Sequence, residues 1–217
     1  MELGTLRTVF GRAVRWGALA RNPAQGIKML RVTDAKPPRF LTKEECAKLL
    51  ANCGPTLHPI FFTFLHTGMR KSELLNLQWS DIDFARRRIL IQNKPFWTPK
   101  TYEREIPMSE KMHELLSGMK QGKPDDFVFC GADGGRFKRK LRRDLMRVTK
   151  ACGFPDVTKL HSLRHTFASH LVMSGVDLPT VKKLMGHSDI QTTMIYSHLL
   201  PDHPSSAVDK LDFQGHR

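Results

Sequence analysis

Tyrosine is scarce in this chain. Of 217 residues two are tyrosine, Tyr102 and Tyr196, and three are tryptophan. Any chemistry that needs a phenol therefore has two places to occur. Cysteine is nearly as sparse. Cys46, Cys53, Cys130 and Cys152 form no CxxC pair and match no zinc spacing. Neither a disulfide framework nor a zinc ribbon is expected, and the four read as reduced thiols of an intracellular protein. No apolar run approaches the ~20 residues of a membrane-spanning helix. The start, Met1 to Arg7, lacks the layout of a signal peptide, so a cytoplasmic protein is expected. No internal repeat is present, which excludes a solenoid.

Acid is the other shortage. The 21 Asp and Glu face 35 Lys and Arg, a formal net charge of +14. A surplus of this size implies a polyanionic partner, most often nucleic acid. Its distribution strengthens that inference, because Arg136 to Lys150 holds eight basic residues and one acid, Asp144. In the same stretch Phe137, Leu141, Leu145, Val148 and Cys152 recur at spacings of 4, 4, 3 and 4. That pattern predicts a helix with one buried stripe and basic residues on its other faces. Lys138, Arg139, Lys140, Arg142, Arg143 and Arg147 are thus candidates for gripping a DNA backbone. The alternative is a solvated charged face. Contacts to phosphate position a protein and carry no sequence information.

What is plentiful is helical pattern. Leu3, Leu6, Phe10, Ala13 and Gly17 form one stripe, predicting a helix over 3–21 that Asn22-Pro23 stops. Residues 24–39 carry Lys, Arg and Pro37-Pro38 without a period, the signature of a linker. The chain thus divides into 1–39, a helix plus linker, and 40–217, a compact domain. Thr42-Lys43-Glu44-Glu45 is a capping box that opens a helix running to about Leu50. Further helices are expected near 56–66, ending at Gly68, and near 71–77, 109–120 and 162–174, the last closed by Gly175. Asp177 caps the next, which ends at Gly186. Ser188 to Gln191 repeats the capping-box spacing and is expected to open a short helix carrying Tyr196. A last helical turn is expected near 207–211. Runs at 87–92 and 104–108 are β-rich, with Pro95 and Pro99 between them, predicting an antiparallel sheet of two or three strands. The fold class expected is α+β, mainly α, and the 40% of hydrophobic residues is enough for a real core.

Chemistry concentrates in one block. His161, Arg164, His187 and Tyr196 fall within 36 residues. Arginine holds phosphate oxygens in a bidentate fork, histidine moves protons near neutral pH, and tyrosine is an oxygen nucleophile. Together they point to phosphoryl transfer through a covalent tyrosine. His161 and Arg164 are three apart and share a helix face. Taken alone, such a pair fits an ordinary helix start equally well. His161 and His165 also have the i, i+4 spacing of zinc ligands, but Ser162 stands where a metalloprotease has its glutamate, and Arg164 between two ligands would repel a dication.

Three stretches are long and specific: TGMRKSELLNLQWSDID, from Thr67; HSLRHTFASHLVMSG, from His161; and VKKLMGHSDIQTTMIYSH, from Val181. In content and order they resemble the phage-integrase family of tyrosine site-specific recombinases, over about 40–200. The segment 1–39 is similar to the last helix of that family's core-binding domain plus its interdomain linker. The resemblance implies a helical catalytic domain of the DNA breaking-rejoining type. It implies cleavage and rejoining of double-stranded DNA through a 3′-phosphotyrosine, with no metal and no nucleotide cofactor. Arg70 and Arg164 resemble the two catalytic arginines, and Glu73 a supporting acid beside the first. His161 is similar to the histidine that deprotonates the nucleophile, His187 to a second transition-state donor, and Tyr196 to the nucleophile itself. Lys100 resembles the hairpin lysine that protonates the leaving 5′ oxygen. Here the turn between Lys100-Thr101 and Arg104-Glu105-Ile106-Pro107 is compressed, and Lys94 is the alternative. The family also implies a tetramer on paired DNA sites, accessory DNA-bending proteins from host or element, and residence on the nucleoid. Two rival readings remain: a DNA-binding module that no longer cuts, and a topoisomerase-like relaxing activity.

Overall fold

The computed structural model describes residues 3–27, 37–131, 133–138 and 140–201. Contacts divide the chain into two compact units, Met1–Lys36 and Pro37–Arg217. In the first, α1 spans Leu3–Arg15 and stops short of the predicted Arg21. Gly17, at φ +72°, turns the chain in a conformation that costs glycine little. Asn22 closes the return segment, its Nδ2 donating to the Arg7 carbonyl at 3.0 Å, while Arg7 Nε donates to the Ala24 carbonyl at 2.9 Å.

The second unit is built around α3 (Gly54–Thr67), which follows α2 (Lys43–Asn52). The Thr42–Glu45 capping box forms in both directions. The α3 sequence is apolar on nearly every face, as a buried helix must be, and it packs against α2, α5 and α7. Phe61 and Phe64 on it are fully buried. After Gly68 the chain enters α4 (Lys71–Leu75), a 3-10 turn at Trp79–Asp81, and the strands β1 (Ile82–Asp83), β2 (Arg88–Ile91) and β3 (Arg104–Pro107). They form one antiparallel sheet in the order β1-β2-β3, with Ile89 opposite both Ile82 and Ile106, and Ile91 opposite Arg104. Along β3 the buried positions are Arg104 and Ile106, so the two-residue period sends an arginine inward beside an isoleucine.

The remaining helices are α5 (Glu110–Ser117), α6 (Leu141–Ala151), α7 (His161–Met173), α8 (Leu178–Met185) and α9 (Gln191–Met194). Among the described residues no helix is long and apolar enough to cross a membrane. α6 begins later than its stripe suggests. Leu141, Leu145 and Val148 are buried on it, but Phe137 is buried from the preceding loop, and Lys138 and Lys140 precede the helix. α9 is shorter than expected and has no side-chain cap. The Asp189 carboxylate accepts the Gln191 amide at 3.0 Å, and the β-branched run Thr192-Thr193 with Ile195 sustains a single turn. Tyr196 therefore lies beyond the helix, just before a 3-10 turn at Ser197–Leu199. The predicted turn at 207–211 and Arg139 lie outside the described residues.

Gly68 is required twice over. It sits at φ +58°, and a Cβ there would come within 2.3 Å of Phe167 Cδ1. Left-handed backbone and overpacking together should make Gly68→Ala cost about 2–4 kcal/mol, read as a fall in the urea unfolding midpoint at unchanged slope.

Candidate active site

The C-terminal end of α8 organises the site. Asp177 caps the helix start, its side chain accepting the Thr180 amide at 2.8 Å, and Gly186 ends it in the left-handed region at φ +65°. The last carbonyls of a helix lack partners within it and carry the negative end of its dipole. Here three consecutive ones each receive a different arginine. Arg104 Nε donates to the Leu184 carbonyl at 3.1 Å, Arg164 Nη2 to that of Met185, and Arg70 Nη2 to that of Gly186 at 2.8 Å. Any Cβ on Gly186 would lie 2.8 Å from the Arg104 guanidinium carbon, so both backbone and packing demand glycine.

Glu73 ties two of these arginines together. It is 1% exposed. Its carboxylate accepts the Arg70 backbone amide at 2.7 Å and Arg70 Nη1 at 2.9 Å, then a two-pronged fork from Arg104 at 3.0 and 2.8 Å. Burial pushes the Glu73 pKa upward, but Arg104 and Arg70 outweigh it and hold the carboxyl below its ordinary range. Arg164, on α7, is 1% exposed. Its guanidinium bonds the carbonyls of Gly68 and Met185, while the buried Nε has no partner among the described residues. Burial first, then the Arg70 charge, lowers its pKa to about 10, so it stays cationic at neutral pH.

The histidines surround this cluster. His161 opens α7 and is exposed. Desolvation, then the Arg164 and Arg70 charges, holds its pKa below the usual value. His187 is buried in the corner after α8, with Nδ1 2.9 Å from Thr193 Oγ1. His165, one turn after His161, packs edge-on to it at 4.6 Å between ring centroids. Its Nδ1 lies 2.6 Å from the Tyr196 hydroxyl. Tyr196 is 1% exposed, and burial pushes its pKa up to about 12.

Arg70, Glu73, Arg164, His187 and the segment leading to Lys100 thus converge. Thr101 accepts from Arg70 Nη1 at 3.3 Å and donates to the Gly186 carbonyl at 3.1 Å, and Tyr102 reaches the His187 carbonyl at 3.4 Å. Lys100 itself is exposed beside them. Lys94 is corrected as an alternative: its ammonium is buried and bonded to Asp81 and to the Asn76 carbonyl, an internal ion pair that removes it from solvent. Three contributors escaped the sequence reading. Arg104 was signalled by its two-residue spacing from the inward Ile106, and His165 by its one-turn spacing from His161. Thr101 had no signal. Of the basic candidates, Lys138, Lys140, Arg142, Arg143 and Arg147 are exposed. Lys138 pairs with Asp133, Arg147 with Asp144, and Arg142 donates to the Thr158 carbonyl.

The profile of the Phage integrase family matches residues 39–203. A tyrosine recombinase XerC of Oceanobacillus iheyensis is 30% identical over 223 residues, covering 96% of this chain and 72% of that protein. The solved catalytic domain of bacteriophage HP1 integrase superposes with a TM-score of 0.60 at 29% identity, over 79% of this chain and 94% of that one. The Tn1549 transposon integrase, solved in complex with a circular intermediate DNA, shares the fold at a TM-score of 0.67 and 23% identity, over 96% of this chain and 76% of that one.

The electrostatics of the cluster predict an acid-sensitive fold. Desolvation, followed by neighbouring histidine and arginine charges, pushes the pKa values of His165 and His187 down to about 4. In the unfolded chain both titrate near ~6.5. The unfolded state then binds protons that the folded state refuses, so stability is full above ~6.5 and falls as pH drops toward ~4. Glu73, whose folded value is depressed, adds a further loss below its unfolded value of ~4.3. Urea midpoints at about pH 7 and about pH 4.5 should differ, and His187→Gln should shrink that difference.

Proposed function

The chain belongs to the phage integrase family, and from that premise we propose that it cleaves and rejoins DNA in site-specific recombination with Tyr196 as the covalent nucleophile. One arrangement carries the proposal. Two arginines from distant segments, Arg70 and Arg164, are anchored on adjacent carbonyls of one helix end, and Arg164 keeps a buried Nε without a partner among the described residues. A buried donor left unsatisfied is costly, and a phosphate oxygen would satisfy it.

In the proposed reaction the Tyr196 oxygen attacks phosphorus and the bond to the 5′ oxygen breaks. The phenol proton passes to His161, which is neutral at physiological pH. The leaving oxygen takes a proton from Lys100, whose ammonium is a better proton donor than any guanidinium. Negative charge gathers on the non-bridging oxygens. Arg70, Arg164 and His187 offset it, each such donor contributing ~3 kcal/mol. The 3′-phosphotyrosine conserves the energy of the broken strand, so attack by a new 5′ hydroxyl rejoins DNA without nucleotide or metal. Glu73 keeps Arg70 in place.

Duplex DNA is the partner, held along its backbone by the exposed arginines of α6 and by Lys138 and Lys140 before it. That agrees with the DNA-bound state in which the Tn1549 integrase was solved. Residues 1–39 act as the end of a DNA-clamping domain and linker, and 40–217 as the catalytic domain. Four copies on two duplexes, accessory DNA-bending proteins, and a place on the nucleoid of the cytoplasm complete the proposal.

On nicked DNA, Tyr196→Phe should form no covalent adduct on a denaturing gel; an adduct with this variant would refute the assignment. Lys100→Ala should slow cleavage by ~10²–10⁴. A 5′-thiol leaving group, which needs no proton, should restore the rate.

A further inference from the structure

The proposed mechanism leaves one buried group without a task. His165 has no role in it, yet its Nδ1 is 2.6 Å from the Tyr196 hydroxyl. The two rings lie 5.8 Å apart at 55°. Tyr196 belongs to a buried apolar cluster with Ala168, Val172, Val181 and Met185. Among the described residues, His165 is the hydrogen-bond partner of the hydroxyl. Tyr196 lies between α9 and the 3-10 turn, with its N–H donating to the Thr193 carbonyl at 3.0 Å and its carbonyl accepting the Leu199 amide at 2.9 Å, so what remains for a side chain to fix is the phenol oxygen. Both groups stay uncharged near neutrality: the phenol is pushed up to about 12 and the imidazole down to about 4. The phenol is then the donor and Nδ1 the acceptor, and full proton transfer between them is far uphill.

Building on the assignment of Tyr196 as nucleophile, we propose that His165 is a positioning residue, holding the Tyr196 hydroxyl beside Arg164 through Nδ1 before attack; the hydroxyl then rotates to give its single proton to His161, and His165 takes none. The anchor is well placed for this. His165 adjoins Arg164 in α7, whose guanidinium is locked on Gly68 and Met185. The nucleophile's partner and one arginine of the phosphate clamp therefore stand side by side on α7, and a bond to His165 sets the phenol oxygen in the same frame as the guanidinium. Rates of such reactions are sensitive to displacements of about 1 Å.

Two variants separate positioning from other roles. His165→Leu fills space without accepting a bond, while His165→Asn offers an amide oxygen at the reach of Nδ1. On nicked duplex DNA, His165→Leu should form the covalent adduct ~10- to 100-fold more slowly, with DNA affinity unchanged, and His165→Asn should recover most of the rate. A Leu variant as fast as the parent, or faster, overturns the proposal. Equal loss in both folded variants also overturns it, because an amide cannot replace a base.

A second readout does not depend on cutting. With two tyrosines in the chain, labelling the tyrosine ζ carbon with ¹³C gives two resonances. His165→Leu should shift that of Tyr196, leaving Tyr102 unmoved. An unmoved Tyr196 resonance refutes the contact. If the parent protein forms no adduct at all, the assignment of Tyr196 as nucleophile fails, and the resonance still decides whether His165 holds it.

Discussion

Everything in the site depends on the helix end at Leu184-Met185-Gly186. Three arginines that are far apart in the chain meet there because three carbonyls in succession have no partners of their own. Each arginine arrives on a different element: Arg70 at the start of α4, Arg104 on β3, Arg164 on α7. The helix end therefore joins sheet, α4 and α7 into one electrostatic unit. Like charges packed this closely would separate without compensation. The Glu73 carboxylate and the negative end of α8 supply it.

Glu73 illustrates how conditional that balance is. A carboxylate at 1% exposure is tolerable only when every oxygen is bonded, and here it accepts four hydrogen bonds from Arg70 and Arg104. Removing either arginine would leave the buried carboxylate with one cationic partner in place of two. The same geometry explains the exposure pattern. Of the groups whose proposed task is to clamp a phosphate, Arg164 and His187 are buried and Arg70 is half-buried, whereas Lys100 and His161, proposed to exchange protons, stand at the surface. The nucleophile is among the buried groups, which is why its partner His165 matters.

Much of the fold was legible because its signals are local. Thr42 and Asp177 cap helices within a few residues of themselves, and Gly68, Gly175 and Gly186 adopt positive φ where helices end. The apolar run of α3 and the alternation in β3 are likewise read from neighbours. Boundaries failed where a local signal had a competitor. Gly17 ended α1 before Asn22-Pro23 could, and the Ser188 box did not form because Asp189 took the Gln191 amide instead. The stripe through Phe137 was real as a burial pattern, but the helix beneath it starts at Leu141.

By itself the sequence determined the residue types of the site, the helix ends that frame it, and the family to which the motifs point. These are properties of short windows and of chemistry. Only the tertiary structure decided who touches whom. It turned Lys94 into a buried partner of Asp81, brought Thr101 and Arg104 to the end of α8, and gave the Tyr196 hydroxyl to His165 rather than to His161. The physical reason is the separation involved. A hydrogen bond between residues 80 or more apart, like that of Arg104 with Leu184 or Arg164 with Gly68, is set by packing of whole elements and leaves no periodic trace along the chain.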